Sequence, residues 1–345
     1  MLGIYKYMFN KIVIYKDNLI SNIKQVKQEN KNSKICAMVK ANAYGVGVNQ
    51  VVQVLEDYAD FFGVACFFEA KQVRSLTNKS ILIVGAFDKD EINEDFSYSC
   101  SSLEDVELLI SQNQKIKIHF KINTGMNRYG FKDLKEFKKA LILAKKSLLI
   151  VEGIYTHFAT TDDYVLEQMK NFNKFVKLCE KFGFAPLVHA DNSFVNEKCN
   201  HKLDMVRIGF NLYNNNKGWF LPVAEIKSEV VSLIDVNKGE LVGYDYRCVA
   251  KHKMKVAVVP IGYADGFKLK YIGMEINVQG VNCQVLNVCM DCFMLDVTKL
   301  NIKKGDEIFV LNKFNSLEDY SRFVNSSPYE IMTNFSSLRA ERIVV

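Results

Sequence analysis

Short apolar runs alternate with amphipathic stretches over the first two-thirds of the chain. The runs at 35–39, 61–65, 81–85, 97–100, 118–122, 149–155, 186–189 and 204–208 predict strands. Leu134, Phe137, Leu141 and Ala144 recur at three-to-four spacing, as do Val165, Met169, Phe172, Val176 and Cys179. That period predicts helices with one apolar face. The aromatic stripe Phe172, Phe175 and Phe182 reads as core. Strands alternating with helices in this way predict an α/β fold, closed as a (β/α)8 TIM-like barrel. A doubly wound open sheet fits the same alternation, but no GxGxxG follows the first strand, and eight repeats favour closure.

After Trp219 the pattern changes to short β-rich runs at 228–236, 240–244, 253–260, 274–278, 283–288 and 306–311. Turn signals such as Asn237-Lys238-Gly239 and Gln279-Gly280 divide them, and one helical stretch falls at 317–324. The predicted division is a barrel at 1–220 and a mostly β domain at 221–345, with the first ~10 residues packing on the β domain. No low-complexity linker separates the two, so they are expected to pack tightly.

A chain of 345 residues holds one large domain or two ordinary ones. The net charge of +6 comes from Lys and Arg scattered among Asp and Glu, with no basic block, which does not suggest nucleic acid. The cysteines number nine, and their single CxxC, Cys289 and Cys292, lacks a second half, so zinc is not expected and no metal is assigned. Reduced thiols point to the cytoplasm. Lysines interrupt the apolar N-terminal stretch, which reads as neither a signal peptide nor a membrane span.

The segment ICAMVKANAYGVG carries the sharpest chemical signal. A buried strand stops at Lys40, and small, turn-forming and aromatic residues follow. Desolvation favours a neutral amine, which can form a Schiff base. In such barrels the loops after the strands carry the chemistry. Those positions gather Lys40 and Tyr44, Lys121 and Arg128, His157, His189 with Asn192 and Ser193, and Arg207 with Gly209. The set holds few carboxylates, which disfavours a divalent-metal hydrolase. A Schiff-base lysine, arginines and small residues whose amides can hold phosphate suit pyridoxal phosphate.

VKANAYGVG, KINTGMNRYGF, HFATTDD, VRIGFNLY, VGYDY, VVPIGYADGF and VCMDCFM occur in the order found in alanine racemases, and from about Ile12 onward the chain resembles that family. The resemblance implies a fold-type III barrel with a C-terminal β domain, a pyridoxal 5'-phosphate cofactor, and a head-to-tail homodimer with shared active sites. The implied reaction interconverts L- and D-alanine through an aldimine and supplies D-alanine for peptidoglycan. Lys40 is then the aldimine lysine and the base on the D face. Tyr244 is the base on the L face, at the other subunit's cofactor. Arg207 sits on the pyridine nitrogen, and because arginine keeps its proton that nitrogen stays unprotonated. Tyr44, Ser193, Gly209 and Phe210 hold the phosphate, with Asn192 also among the cofactor-binding residues, and His157 packs on the ring. His189 links Arg207 to Tyr244. Arg128 orients the phenolate and the substrate, and Lys121, at an often carbamylated position, braces Arg128. Tyr263, Met290 and Asp291 fall on the substrate side.

The chain departs from the family pattern at Asn123, where aspartate is usual, at Asn214, where glycine is usual, and at Asn287, where arginine is frequent. Ser337 or Leu338 falls where a phosphate-contacting tyrosine often stands. Three other readings stay open. One is a broader amino-acid racemase, acting for example on serine. Another is a pyridoxal-phosphate decarboxylase, which usually puts a carboxylate where Arg207 stands. The last is a non-catalytic pyridoxal-phosphate-binding barrel protein, which typically lacks a second domain and its tyrosine.

Overall fold

Eight parallel strands close on themselves in the order β2-β3-β4-β5-β6-β7-β8-β9. The computed structural model describes residues 9–160, 162–191, 203–214 and 220–345. The barrel strands are β2 (Lys34–Met38), β3 (Phe61–Val64), β4 (Ser80–Ile83), β5 (Ser97–Cys100), β6 (Lys117–Lys121), β7 (Ile150–Tyr155), β8 (Leu187–Asp191) and β9 (Met205–Ile208). Pairing of Ile35 with Val206 and of Cys36 with Arg207 joins the last strand to the first. Closure excludes the open-sheet alternative. A closed parallel barrel directs all its C-terminal strand ends to one face.

Helices follow the strands because apolar residues recur on one side of each. In helix Leu134–Lys145, Phe137, Ala140, Leu141 and Ala144 are buried. Leu134, predicted on that face, is instead exposed, and Ala140 takes the inner position. The Asp133 side chain caps the helix by accepting the N–H groups of Lys135 and Glu136, both at 2.8 Å. Phe137 packs edge-on to Phe120 and tilted to Phe131 and Phe175, with ring centroids 5.1 to 5.4 Å apart. Burying a side chain of this size contributes about 1.5–3 kcal/mol, so this cluster is a large part of what holds the helices to the strands.

The described residues fall into two compact units, one drawn from Leu19–Ala41 and Val51–Leu221, the other from 9–18, Asn42–Gln50 and Pro222–Val345. The second unit holds two sheets. One has the order β16-β10-β1-β17, from β1 (Lys11–Ile14), β10 (Ala224–Glu229), β16 (Glu307–Leu311) and β17 (Glu341–Val344). The other runs β11-β12-β15-β14-β13, from β11 (Ser232–Val236), β12 (Met254–Val259), β13 (Glu275–Val278), β14 (Val281–Val288) and β15 (Phe293–Asp296). The single run expected at 228–236 is thus two strands, since β10 pairs with β1 and β16 while β11 pairs with β12. The run at 240–244 is a loop rather than a strand, because Gly243, Asp245 and Tyr246 all have positive φ. The helix expected at 317–324 is present as Leu317–Val324, and a further helix, Pro328–Asn334, follows it. No helix among the described residues is long and apolar enough to cross a membrane.

Candidate active site

Lys40 stands just past β2, half-buried, at the start of a left-handed turn. Ala41, Asn42, Ala43 and Tyr44 have φ of 52°, 54°, 52° and 56°, followed by Gly45 at 91° and Gly47 at 132°. Left-handed backbone costs roughly 1–2 kcal/mol per non-glycine residue, so KANAYGVG stores strain directly after its lysine. The Asn42 carbonyl accepts the N–H groups of Gly45 and Gly47 at 3.1 and 3.0 Å, and its side chain accepts that of Val48 at 2.8 Å. The Glu69 carboxylate accepts the Ala41 N–H at 2.7 Å. Runs of strained backbone persist where the surroundings over-determine them, and they cluster at functional sites. Lys40 belongs to the barrel unit, whereas Tyr44, buried, falls in the stretch Asn42–Gln50 of the other unit.

Inside the barrel a chain of polar side chains crosses the apolar core. Arg207 on β9 is buried and bonds the Thr156 carbonyl at 2.9 Å and His189 Nδ1 at 2.5 Å. His189 Nε2 lies 2.8 Å from His119 Nδ1, and His119 Nε2 lies 2.9 Å from Glu152 Oε2. The proton positions follow from the ends. Arginine only donates, so His189 accepts at Nδ1 and carries its proton on Nε2. That proton is donated to His119 Nδ1, and His119 Nε2–H is donated to the Glu152 carboxylate. Burial, with Arg207 and His119 nearby, pushes the His189 imidazole well below its ordinary value. Burial also lowers His119, against the pull of Glu152. Burial raises the Glu152 carboxyl, but His119, Ser97 and Lys117 together bring it below the usual carboxylate range.

Two features make room for this chain. The β6–β7 register shifts between Ile118 and His119, and His119 pairs with Gly153. Tyr155 supplies a platform: the Arg207 guanidinium lies 4.4 Å from its ring centroid and the His189 ring stacks on it at 4.8 Å. The Tyr155 hydroxyl lies 2.5 Å from that of Ser99. His119, Glu152 and Tyr155 are site residues that the sequence reading did not single out. A histidine between Ile118 and Phe120, and a carboxylate inside the run 149–155, are the signals that could have found them.

Most of the remaining barrel candidates gather at the C-terminal strand ends. Lys121 closes β6, buried, with Nζ 4.7 Å from the Tyr129 ring centroid and 5.6 Å from that of Tyr155. Arg128 is exposed on the next loop, which Asn123 organises by accepting the N–H groups of Gly125 and Asn127. His157 follows β7, half-buried, on a segment tied down by buried Gln168. Gln168 accepts the Ala159 N–H at 3.1 Å and donates to Thr124 at 3.1 Å, and Thr124 meets Thr156 at 2.8 Å. Gly209 caps a short 3-10 turn that begins at buried Phe210. Asn192 and Ser193 lie outside the described residues. His189 meets Arg207 as expected, but its second ring nitrogen is turned to His119 rather than to a tyrosine.

The candidates of the other unit converge on the end of β14. Tyr263 N–H donates to the Cys289 carbonyl at 3.0 Å and Ala264 N–H to that of Met290 at 2.9 Å. Gly262 lets these segments touch, because a Cβ there would meet backbone atoms of Cys289, Met290 and Asp291. Tyr263, Met290 and Asp291 are exposed. Tyr244 is 68% exposed on its loop, a high value for so large an aromatic ring. Of the departures from the family pattern, Leu338 is buried and Ser337 bonds the Asn334 carbonyl, while Asn214 is buried and its N–H reaches the Phe210 carbonyl.

The chain is similar to known proteins over nearly all of its length. Residues 14–217 match the family model described as alanine racemase, N-terminal domain, and residues 223–344 match alanine racemase, C-terminal domain. An alanine racemase of Francisella philomiragia is 31% identical, covering 95% of this chain and 98% of its own length. One from Fusobacterium nucleatum is 32% identical, covering 97% and 99%. Among solved structures, the alanine racemase from Bacillus anthracis with bound L-Ala-P superposes with a TM-score of 0.90 at 26% identity, covering 98% of this chain and 95% of its own.

Proposed function

Because the chain belongs to the alanine racemase family, we propose that it interconverts L- and D-alanine with pyridoxal phosphate held at the C-terminal end of the barrel. The observation that carries this reading is the placing of Lys40 and Arg207 at one end of a closed barrel, with Arg207 fixed by His189 and Thr156. The donor set fits the cofactor. Lys121 and Arg207 are basic side chains, the cofactor is an anionic phosphorylated aldehyde, and Lys40 offers it a primary amine. Pyridoxal phosphate, when bound, supplies the electron sink that acidifies the α-hydrogen of an amino acid.

The residues divide the remaining work. Racemisation needs a proton taken from one face of Cα and returned to the other. Lys40 Nζ serves the D face and Tyr244 Oη the L face. Arg207 donates a hydrogen bond towards the cofactor's ring nitrogen and does not release its proton. Tyr44, Ser193, Gly209 and Phe210 would hold the phosphate, Asn192 would join the cofactor-binding residues, and His157 would pack on the ring. Arg128, braced by Lys121, orients the Tyr244 hydroxyl and the substrate. Tyr263, Met290 and Asp291 border the substrate.

The working unit is a head-to-tail homodimer in which a second copy supplies Tyr244, consistent with that side chain's exposure. The setting is the cytoplasm, where D-alanine feeds peptidoglycan synthesis; the described cysteines are free, which suits it. Chiral analysis of L-alanine incubated with the cofactor-loaded protein tests the reading. Drift to an even D/L mixture supports it, and no D-alanine overturns it. Tyr244→Phe is expected to lower turnover roughly 10²–10⁴-fold; unchanged racemisation in both directions would remove Tyr244 from its role.

A further inference from the structure

Asn287, next to last in β14, is fully buried, and its side chain is spent on the backbone. Its Nδ2 donates to the carbonyls of Val242 and Tyr244 at 2.9 and 3.1 Å, and its Oδ1 accepts the Val288 N–H at 2.9 Å. Both amide N–H groups and the amide oxygen are therefore engaged. Arginine, frequent at this position in the family, could not do the same, since it has no acceptor.

Two further features belong to the same arrangement. The β14–β15 register shifts between Val285 and Asn287, an irregularity of the kind that re-aims a side chain. Gly243 lies between the two accepting carbonyls with φ of 73°, and a Cβ there would come 2.6 Å from Asn287 Nδ2. Glycine is needed at 243 for both conformation and space.

The loop they hold carries Tyr244. Its base is closed by a bridge between Leu241 and Val249 and by the Val242 N–H on the Cys248 carbonyl at 3.0 Å. Its tip holds Tyr244 and Tyr246, both exposed, with Asp245 and Tyr246 at φ of 63° and 52°. An exposed, strained tip does not fix an aromatic side chain by packing. The buried amide of Asn287 fixes it instead, through the carbonyl of Tyr244 itself.

We propose that Asn287, with Gly243, is a positioning residue for proton transfer by Tyr244. The proposal rests on the reading of Tyr244 as the L-face base. Asn287 touches neither substrate nor cofactor, and it acts by holding the backbone from which the Tyr244 phenol projects.

The test compares Asn287→Ala, Gly243→Ala and Tyr244→Phe in the cofactor-loaded enzyme, with α-deuterated L-alanine and α-deuterated D-alanine as substrates. A loosened base slows the step at Tyr244 and leaves the step at Lys40 unchanged. For Asn287→Ala, kcat is expected to fall about 10- to 100-fold, in line with the cost of a misplacement near 1 Å, while KM changes little. The isotope effect should rise with labelled L-alanine and fall with labelled D-alanine. Global loosening would not separate the two labels. Independently of turnover, amide hydrogen exchange over 242–248 should speed up while the barrel strands stay protected. If Asn287→Ala does not fold, Gly243→Ala, in an exposed loop, reports the same isotope signature. Tyr244→Phe inactive, with isotope effects and loop exchange unchanged in the other variants, overturns the role of Asn287. Tyr244→Phe fully active overturns the reading of Tyr244 as the base.

Discussion

Gly153→Ala tests the buried donor chain most directly. Gly153 has no unusual φ that would call for glycine, so the residue is required for space alone. An alanine Cβ would land on the His119 imidazole, 2.5 Å from Cε1, 2.8 Å from Cγ and closer still to Nδ1. The ring cannot yield, because His189 holds one nitrogen at 2.8 Å and Glu152 the other at 2.9 Å. Overpacking of this kind costs about 1–3 kcal/mol, and each buried partner left unsatisfied adds about 1–3 kcal/mol. A total of about 3–5 kcal/mol is expected, which lowers the calorimetric melting temperature by roughly 4–7 °C in a chain of this size. The cause is isolated by repeating the substitution in a His119→Ala background, where there is no ring to strike. There Gly153→Ala should change stability by less than about 0.5 kcal/mol. A cost below about 1 kcal/mol in the parent chain, or an equal cost in both backgrounds, would refute the steric argument.

Two other outcomes follow from buried charges and imidazoles. His119 and His189 are held neutral by burial, so below about pH 6.5 the unfolded chain binds protons that the folded chain does not. Stability therefore falls with falling pH, by up to about 2.7 kcal/mol per unit for the two groups together; a flat unfolding profile between pH 7.5 and 5.5 would contradict this. In the second unit, buried Asp265 accepts Arg339 Nε and a terminal guanidinium nitrogen at 2.7 and 2.8 Å. Arg339→Ala leaves the buried carboxylate only the backbone N–H groups of Gly262 and residue 339 and should cost about 2–3 kcal/mol by thermal denaturation, more than Asp265→Asn, which leaves behind only an exposed guanidinium.

The barrel was legible in the sequence because its strands are buried on both faces and read as apolar runs. The expected strand 97–100 is β5 as found, and 35–39 differs from β2 by one residue at each end. β1 was missed because both its partners, β10 and β17, lie far along the chain and leave no local mark on KIVI. The division of 228–236 was hidden because a change of sheet at Val230 and Val231 keeps the same apolar texture. The placing of Lys40, His157 and Arg207 at strand exits was legible from position alone. His119 and Glu152 were not, because their role depends on which strands are neighbours and on a register shift beside Gly153. Asn287 was legible only as an oddity, and its meaning lies in two carbonyls more than forty residues away.

The direction of the buried chain bears on how the charge of Arg207 is used. A buried guanidinium is costly unless compensated. The hydrogen-bonded chain links it to a carboxylate, Glu152, near the start of β7, while Arg207 stands near the end of β9. Two neutral imidazoles separate them, each donating one proton away from Arg207 and towards Glu152. Each imidazole turns its acceptor nitrogen to the cation side, so the dipoles add in the direction that stabilises both ends. The chain adds to the compensation of Arg207, whose guanidinium stands at the C-terminal end of the barrel. Burial of His189 and His119 sustains this arrangement, because protonation of either ring would turn an acceptor into a donor and break the chain. The apolar packing around the two rings is therefore part of the electrostatics of the site, and Gly153, which leaves the space His119 fills, is as much a component of it as Arg207.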